Sequence, residues 1–562
     1  MALALRTPLA NPFALRRPSW LVILACLVGV GVLLPILAVV GQWFTQGTSD
    51  TWAHLAGTVL PEYLWSTLWL CLGVGVGTAS MGVGAAWLVT RHDFPLRGVM
   101  EWALVLPLAV PGYVMAYTYT DVLQYVGPVQ TALREAFEWR RGDYWFPDVR
   151  SLGGAVLLFS FVLYPYVYML ARTAFLERAG GMMEVGRSLG LGPWASFWRV
   201  SLPLARPAIV GGVSLALMET LADFGAVSYF GVQTFTTGIY RAWFSLGDRV
   251  AAAQLASALL GFVILGLMFE RLSRGRARFH DTTSRRSSTM GRRLPWGWGL
   301  VALVACLIPL VLGFLLPAGV LLHMAFTDGD AQFGTRFIEL AGNSVMVSGL
   351  TAVLAVVLAV LLAYAARLHP GWLMRLMHRV GGLGYALPGT VIAVGVLIPV
   401  TRVDQVITGW LEWAFDWQGG LVITGGIAGL VYACMVRFLT PAVQSIDAGL
   451  AKVTPNMDNA ARSLGLNAAQ TLRRVHVPLL RGSVLTAALL VFIDTMKELP
   501  ATLVMRPFNF DTLATQAYVL ASDERLAEAS TAALAIVVVG LLPLVVISRQ
   551  IARSRRSSAG HD

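Results

Sequence analysis

The sequence is poor in cysteine and has no recognisable catalytic grouping. Of 562 residues only 4 are cysteine, and all of them lie in apolar runs without a CxxC spacing or a neighbouring histidine: Cys26, Cys71, Cys306 and Cys434. They are predicted to be small buried residues, not disulfide partners or metal ligands. The 8 histidines show no metal-ligand spacing, and no Ser, His or Cys grouping indicates nucleophilic catalysis. We therefore do not expect an enzyme.

Lysine is so scarce that a nucleotide-binding loop is excluded. A phosphate-binding P-loop needs Gly-Lys followed by Ser or Thr. The two lysines of this chain are Lys452, followed by Val453, and Lys497, followed by Glu498. We expect the chain to bind no cofactor of its own, and any ATP to be used by a partner polypeptide.

Charged residues make up only 13% of the chain, whereas hydrophobic residues make up 56%. With a mean hydropathy of +0.67, the chain is too apolar for a soluble globule. Since a helix needs about 20 apolar residues to cross a bilayer, the sequence predicts an all-α integral membrane protein with about twelve crossings, six per half. The runs are 20–42, 65–89, 99–120, 152–171, 207–230, 251–268, 296–318, 344–366, 380–400, 420–436, 483–505 and 530–548. The first run is too long, and too weakly followed by a small-residue cleavage pattern, for a removable signal peptide, so it is expected to stay as a membrane helix.

The basic residues predict the orientation. Most of the 42 Lys and Arg residues fall in segments that twelve crossings place on the amino-terminal side of the membrane. The positive-inside rule makes that side, with both termini, cytoplasmic. The basic stretch 271–295 separates a first half, 1–270, from a second half, 296–562. It has no interleaved aromatic platform and joins the two halves, so a cytoplasmic linker is favoured over a nucleic-acid site.

A polar segment occurs twice. Residues 184–206, "EVGRSLGLGPWASFWRVSLPLAR", reappear 275 residues later as "NAARSLGLNAAQTLRRVHVPLLR". Each copy lies between apolar runs, which indicates a tandem duplication with both copies on one side of the membrane. The glycine of "RSLGL" suits a positive φ after a short amphipathic helix, and the later proline suits the first turn of the next helix.

Proline-glycine pairs are duplicated as well. Pro111-Gly112 in the first half matches Pro388-Gly389 in the second. Such pairs inside the third crossing of each half predict a kink.

The spacing E-x5-G-x9-[IV]-x-L-P resembles the EAA loop of permease subunits of binding-protein-dependent ABC importers, which have a MetI-like fold. In that family the loop forms a coupling helix that docks on an ATPase subunit. The resemblance implies coupling roles for Glu184, Arg187, Gly190 and Pro203 in one copy and Asn459, Arg462, Gly465 and Pro478 in the other. Because Asn459 replaces the glutamate of the pattern, we expect the first loop to be the more sensitive to substitution.

Residues 218–248 and 494–515 resemble the corresponding stretches of fused, two-half permeases of ferric iron importers. This implies a bacterial inner-membrane location, a pair of ATPase subunits and a periplasmic solute-binding protein as partners, and no nucleic acid. The same architecture with another cargo, such as thiamine, a polyamine, a phosphonate or an inorganic anion, stays open. An ion-driven secondary transporter is disfavoured because it needs no docking loops.

Four carboxylates lie within the predicted crossings. Glu219 and Asp223 are four residues apart, and Asp494 and Glu498 hold the same positions in the second half. Residues i and i+4 share a helix face, and a charge at mid-bilayer costs about 2.5–3.5 kcal/mol. We therefore expect these side chains to face the interface between the halves.

Two interpretations of this acidic set stay open. In one, Lys497 pairs with Asp494 and the groups hold helices together. In the other, all four carboxylates and Lys497 line a pathway, and the carboxylates make transient contacts to Fe³⁺, a hard ion that prefers oxygen ligands. Tyr113, Tyr117 and Tyr229 would then offer phenolic oxygens nearby, unless they are interfacial anchors.

Overall fold

The computed structural model describes residues 20–45, 50–177, 192–274, 292–327, 333–416 and 419–559. Helices dominate because a segment in hydrocarbon must satisfy its own backbone hydrogen bonds. The first half contains α1 (Trp20–Thr45), α2 (Asp50–Thr58), α3 (Leu60–Arg91), α4 (Arg97–Ala103), α5 (Gly112–Leu123), α6 (Pro128–Phe137), α7 (Leu152–Glu177), α8 (Pro193–Ser196), α9 (Leu202–Ala222), α10 (Gly225–Tyr229), α11 (Phe235–Tyr240) and α12 (Arg249–Arg274).

The second half repeats this plan. It contains α13 (Trp296–Leu310), α14 (Leu316–Thr327), α15 (Thr335–Leu368), α16 (Trp372–Gly381), α17 (Gly389–Phe415), α18 (Ala428–Leu450), α19 (Pro455–Ser463), α20 (Ala468–Thr471), α21 (Val477–Met496), α22 (Pro500–Met505), α23 (Leu513–Ser522) and α24 (Leu526–Ala559). Two-residue strands, β1 (His92–Asp93) and β2 (Arg292–Arg293), pair in parallel. This ladder fastens the start of the second half to the loop after α3.

The length and composition of the helices agree with a multi-pass membrane protein. Within the described residues, ten helices are long and apolar enough to cross a bilayer. The count is eleven if Arg97–Ala109 and Gly112–Phe137, which meet at 94°, form one broken crossing. That bend lies at the predicted Pro111-Gly112 kink. The twelfth predicted run falls in α24, whose described apolar part is the shorter stretch Leu526–Leu542.

The first helix of each half packs on the other half. Helix α1 contacts α15, α16 and α17, and its Ala25 and Val32 belong to a buried cluster that is otherwise mostly second-half residues. In return, α13 and α14 contact α3, α4 and α5. Cys306 of α13, with no exposed surface, is buried among first-half residues. Three of the four cysteines are buried, as predicted, and Cys26 is half-buried.

The crossings that carry the acidic residues are shorter than predicted. The sequence places continuous helices over 207–230 and 483–505, but α9 ends at Ala222 and α21 ends at Met496. Asp223 is already extended, with φ −71° and ψ 137°. The chain then forms the short helices α10 and α22. Hydropathy alone could not show these breaks, because the apolar composition continues through them.

Candidate functional site

A cavity of about 100 Å³ lies where the two breaks meet. All five predicted pathway residues, Glu219, Asp223, Asp494, Lys497 and Glu498, line it together with parts of α7 and α18 and with the Pro111-Gly112 pair. The i, i+4 argument was wrong in its premise, because Asp223 and Glu498 lie beyond the ends of their helices. The side chains nevertheless converge, because residues at both breaks line the same cavity.

Each break is held by the carboxylate that follows the long helix. The Asp223 Oδ1 atom accepts hydrogen bonds from the backbone N–H groups of Ala226, at 2.8 Å, and Val227, at 3.3 Å. The Glu498 Oε1 atom accepts one from the N–H of Ala501 at 3.0 Å. These bonds satisfy donors that a new helix leaves unpaired, so the carboxylates also start α10 and α22.

Two ion pairs neutralise the second-half carboxylates. Lys497 Nζ lies 2.9 Å from Asp494 Oδ1, the pair that the sequence suggested. Arg437 Nη1 donates to Glu498 Oε2 at 2.6 Å, and these side chains are 7% and 4% exposed. Within the described residues, neither Glu219 nor Asp223 forms an ion pair. The repeat explains this difference, since Ala222 and Val162 occupy the positions equivalent to Lys497 and Arg437.

Arg437 was missed by the sequence reasoning, which assigned it to a cytoplasmic segment. It lies inside α18 and is 6% exposed. Arg437 directly follows the predicted apolar run 420–436. By the positive-inside rule, an arginine at that position is expected at the cytoplasmic end of a crossing. The duplication gave no warning either, because the first half has a valine there.

The glycines of the two Pro-Gly pairs allow the backbone to approach the cavity. A Cβ atom on Gly389 would lie 2.4 Å from Arg437 Nη1 and 2.6 Å from Glu498 Oε1. A Cβ atom on Gly112 would lie 3.3 Å from Asp223 Oδ2. A side chain at position 389 would therefore collide with the buried ion pair.

Tyrosines form part of the lining. Tyr113 lines the cavity, and its buried hydroxyl has no hydrogen-bond partner among the described residues. Tyr117 packs against Tyr229, with ring centroids 6.4 Å apart, and Tyr229 lines a separate cavity of about 410 Å³. The sequence did not single out Tyr166 and Tyr385, whose hydroxyls lie 3.4 Å apart in the lining.

The acidic set does not form a closed metal site in this conformation. In the part of the chain that the structure describes, no group of three or more His, Cys, Asp or Glu side chains is placed to hold a metal ion. The four carboxylates share a cavity wall but no common coordination point. This geometry suits passing contacts better than stable binding, because tight metal sites converge several ligands on one ion.

The second copy of the repeated segment forms the local structure that its sequence predicts. Helix α19 is followed by Gly465, whose φ is +78°, and Pro478 lies in the first turn of α21. Asn459, Arg462 and Leu464 are exposed, Leu464 by 81%. Within the described residues, the exposed face of α19 and the turn that follows it therefore presents the apolar side chain of Leu464 beside polar ones.

The first copy is described only in part. Glu184, Arg187 and Gly190 lie outside the described residues. From Gly192 onward the chain repeats the second copy: α8, a π-helical turn over Phe197–Ser201, and α9 with Pro203 in its first turn. The matching turn in the second copy is Leu472–His476.

Comparison with known proteins gives a consistent family. Residues 79–278 and 355–557 match the family described as "Binding-protein-dependent transport system inner membrane component". The chain is 26% identical over 539 residues to the Fe(3+)-transport system permease protein FbpB 2 of Haemophilus influenzae, covering 95% of this chain and 99% of that protein.

Two other relatives match shorter stretches of the chain. Identity to the molybdenum transport system permease protein ModB of Escherichia coli is 26% over 239 residues, 39% of this chain and 99% of that protein. Identity to the sulfate transport system permease protein CysW of the same species is 29% over 214 residues, 36% and 69% of the two chains. Since the family match occurs once in each half and covers most of the sequence, this chain belongs to the inner membrane components of binding-protein-dependent transport systems, as a fused two-half, MetI-like permease of the ABC importers.

Proposed function

We propose that this permease carries ferric iron, delivered by a periplasmic solute-binding protein, into the cytoplasm. The observation that carries the proposal is the charge of the cavity. Within the described residues it is lined by four carboxylates and two basic side chains, so it holds excess negative charge when all are ionised. Such a site favours a cation, and carboxylate and phenol oxygens suit a hard ion. Similarity over nearly the full length to a permease named for Fe(3+) supports the same cargo.

A pair of ATPase subunits would drive the cycle by docking on the two repeated segments. The exposed face of α19 and the turn at Gly465 support this role for the second segment. Because the chain has no Gly-Lys-Ser/Thr sequence, the nucleotide would be bound and hydrolysed by those partners. Both termini and both segments would then lie in the cytoplasm.

An inorganic oxyanion is the second candidate cargo. It is favoured by Lys497 and Arg437 in the cavity and by the similarity of parts of this chain to molybdenum and sulfate permeases. Against it, both basic side chains are already bound to carboxylates. An oxyanion would have to displace one of these buried pairs, which leaves a carboxylate uncompensated.

The cargo is tested by measuring the uptake of labelled ions into cells from which the chromosomal genes of the importer have been deleted. The importer is then expressed in these cells from a plasmid. We expect radioactive ferric iron to accumulate, and labelled sulfate and molybdate not to accumulate above the empty-vector level. Uptake of either oxyanion without iron uptake would replace the ferric proposal with the oxyanion one. A chain with Gly465→Val and Gly190→Val serves as a control that keeps the cavity intact.

A further inference from the structure

The repeated segment of the second half is tied to the membrane helices by an ionic contact. Asp458 lies in the first turn of α19. Its Oδ2 atom accepts hydrogen bonds from Arg367 Nε at 3.0 Å and Nη2 at 2.7 Å. Its Oδ1 atom lies 2.7 Å from His476 Nε2. One carboxylate thus joins two side chains that are remote from it in sequence.

The contact is shielded from solvent. The side chains of His476, Asp458 and Arg367 are 1%, 17% and 21% exposed. Arg367 also donates to the carbonyl of Val453 at 2.8 Å and to that of Leu450 at 3.3 Å, which fixes the chain between α18 and α19. Charge-assisted hydrogen bonds of this length are about twice as strong as neutral ones. The electrostatics therefore restrain α19 more firmly than an exposed surface pair would.

The three residues connect elements that matter for transport. Arg367 lies in the last turn of α15, and His476 ends the π-helical turn that runs directly into α21. Helix α21 carries Asp494 at the cavity, 18 residues further along, or about 27 Å at the α-helical rise. Asp458 consequently links α19 to the base of the helix that reaches the cavity.

The first half shares only part of this arrangement. Arg91 corresponds to Arg367 and donates to the carbonyl of Phe175 at 3.0 Å, which matches the bond from Arg367 to Leu450. However, the repeat places Met183 where the second half has Asp458, and Ser201 where it has His476. Neither side chain is ionisable, so the sequence of the first half does not repeat the carboxylate and the imidazole at these two positions.

We propose that Asp458, together with Arg367 and His476, is a positioning residue that makes α19 and the base of α21 move as one body. This inference rests on the proposed docking of an ATPase subunit on α19. Displacement of α19 is then passed directly to the helix that bears Asp494.

The link itself is tested by amide hydrogen exchange on the purified full-length chain in lipid nanodiscs. Asp458→Asn keeps the shape but removes the charge. Exchange in residues 455–466 should become about tenfold faster, whereas Asp458→Glu should recover part of the protection. Asp447→Asn is the matched control: it breaks the nearby pair of Asp447 and His378, 3.0 Å apart, and should leave residues 455–466 unchanged. Unaltered exchange in Asp458→Asn would show that no such link exists.

The positioning role is tested in the assembled importer, by measuring the stimulation of ATP hydrolysis by the loaded binding protein. With Asp458→Asn, basal hydrolysis should persist while stimulation falls several-fold, and Asp458→Glu should restore most of it. If α19 loosens but stimulation is unchanged, the positioning inference is wrong while the importer function stands. If the wild-type importer itself shows no stimulation, the proposed docking fails first. Arg367→Gln repeats both measurements, should Asp458→Asn not assemble.

Discussion

Individual residues give the two halves of the cavity different electrostatics. Lys497 and Arg437 bind the carboxylates of the second half, whereas Glu219 and Asp223 of the first half form no ion pair within the described residues. The two interpretations of the acidic set are therefore not exclusive. The second-half carboxylates hold ion pairs, and we propose the first-half carboxylates as the groups that accept a cation.

The pair of Arg437 and Glu498 provides a test of the structural part. Arg437→Met leaves a buried carboxylate without its partner, so it should lower the free energy of unfolding by about 3–5 kcal/mol. Adding Glu498→Gln removes the orphaned charge and keeps an acceptor for the Ala501 N–H, so most of the loss should be recovered. Thermal unfolding of the purified variants measures both. Equal destabilisation by the single and the double variant would mean that the two groups do not interact.

Gly389 tests how closely the backbone approaches that pair. Gly389→Ala places a Cβ atom 2.6 Å from Glu498 Oε1, and such overpacking costs about 1–3 kcal/mol. Gly409→Ala, in the same helix α17 with nothing within 4 Å of its Cβ, is the matched control and should be neutral or slightly stabilising. Their melting temperatures should move apart. A Gly389→Ala protein as stable as the control would contradict the close approach.

At the scale of single elements, the repeated segment is a short helix, a glycine turn and a π-helical entry into a long helix. Gly465 has a φ of +78°, where a β-branched residue costs about 1–2 kcal/mol. Gly465→Val should therefore lower the population of the native turn about tenfold and uncouple ATP hydrolysis from uptake, while the protein still inserts. Gly482→Val, inside α21 with open space at its Cβ, is the control. Normal coupled uptake by Gly190→Val, Gly465→Val protein would refute the docking role of these segments.

Some of these elements follow from the sequence and others do not. Duplication and hydropathy predict the helices, the Pro111-Gly112 bend and the meeting of the four carboxylates. They do not predict the helix ends at Ala222 and Met496, because those ends depend on the hydrogen bonds of Asp223 and Glu498 to the next helix. Arg437 was missed because a buried arginine and a boundary arginine look alike beside an apolar run. Tertiary packing decides which groups these buried charged side chains contact, and that packing cannot be read from hydropathy.

At the scale of the whole molecule, the two halves interlock. Helix α1 packs on the second half, and α13 and α14 pack on the first. If the chain were cut within the predicted linker, 271–295, the first helix of each half would still be packed against the other half. Residues of both halves line the cavity, so a relative motion of the halves would change its shape and its access to solvent.

The orientation of this assembly is tested by labelling with an impermeant maleimide in intact cells. In a cysteine-free background, Ser284→Cys and Ser557→Cys should stay unlabelled, since the basic segments that contain them are expected in the cytoplasm. Trp145→Cys is the positive control, because Trp145 is 84% exposed in a loop on the predicted outer side. Labelling of either serine position would overturn the topology.

The claim that the first-half carboxylates accept the cation is tested most directly by one uptake measurement. Glu219→Gln with Asp223→Asn removes the two charges without an ion pair, keeps the acceptor that starts α10, and leaves both ion pairs intact. Ferric iron uptake should fall at least about tenfold, at unchanged membrane level, melting temperature and assembly with the ATPase subunits. Iron uptake equal to wild type in this double variant would contradict the acidic pathway.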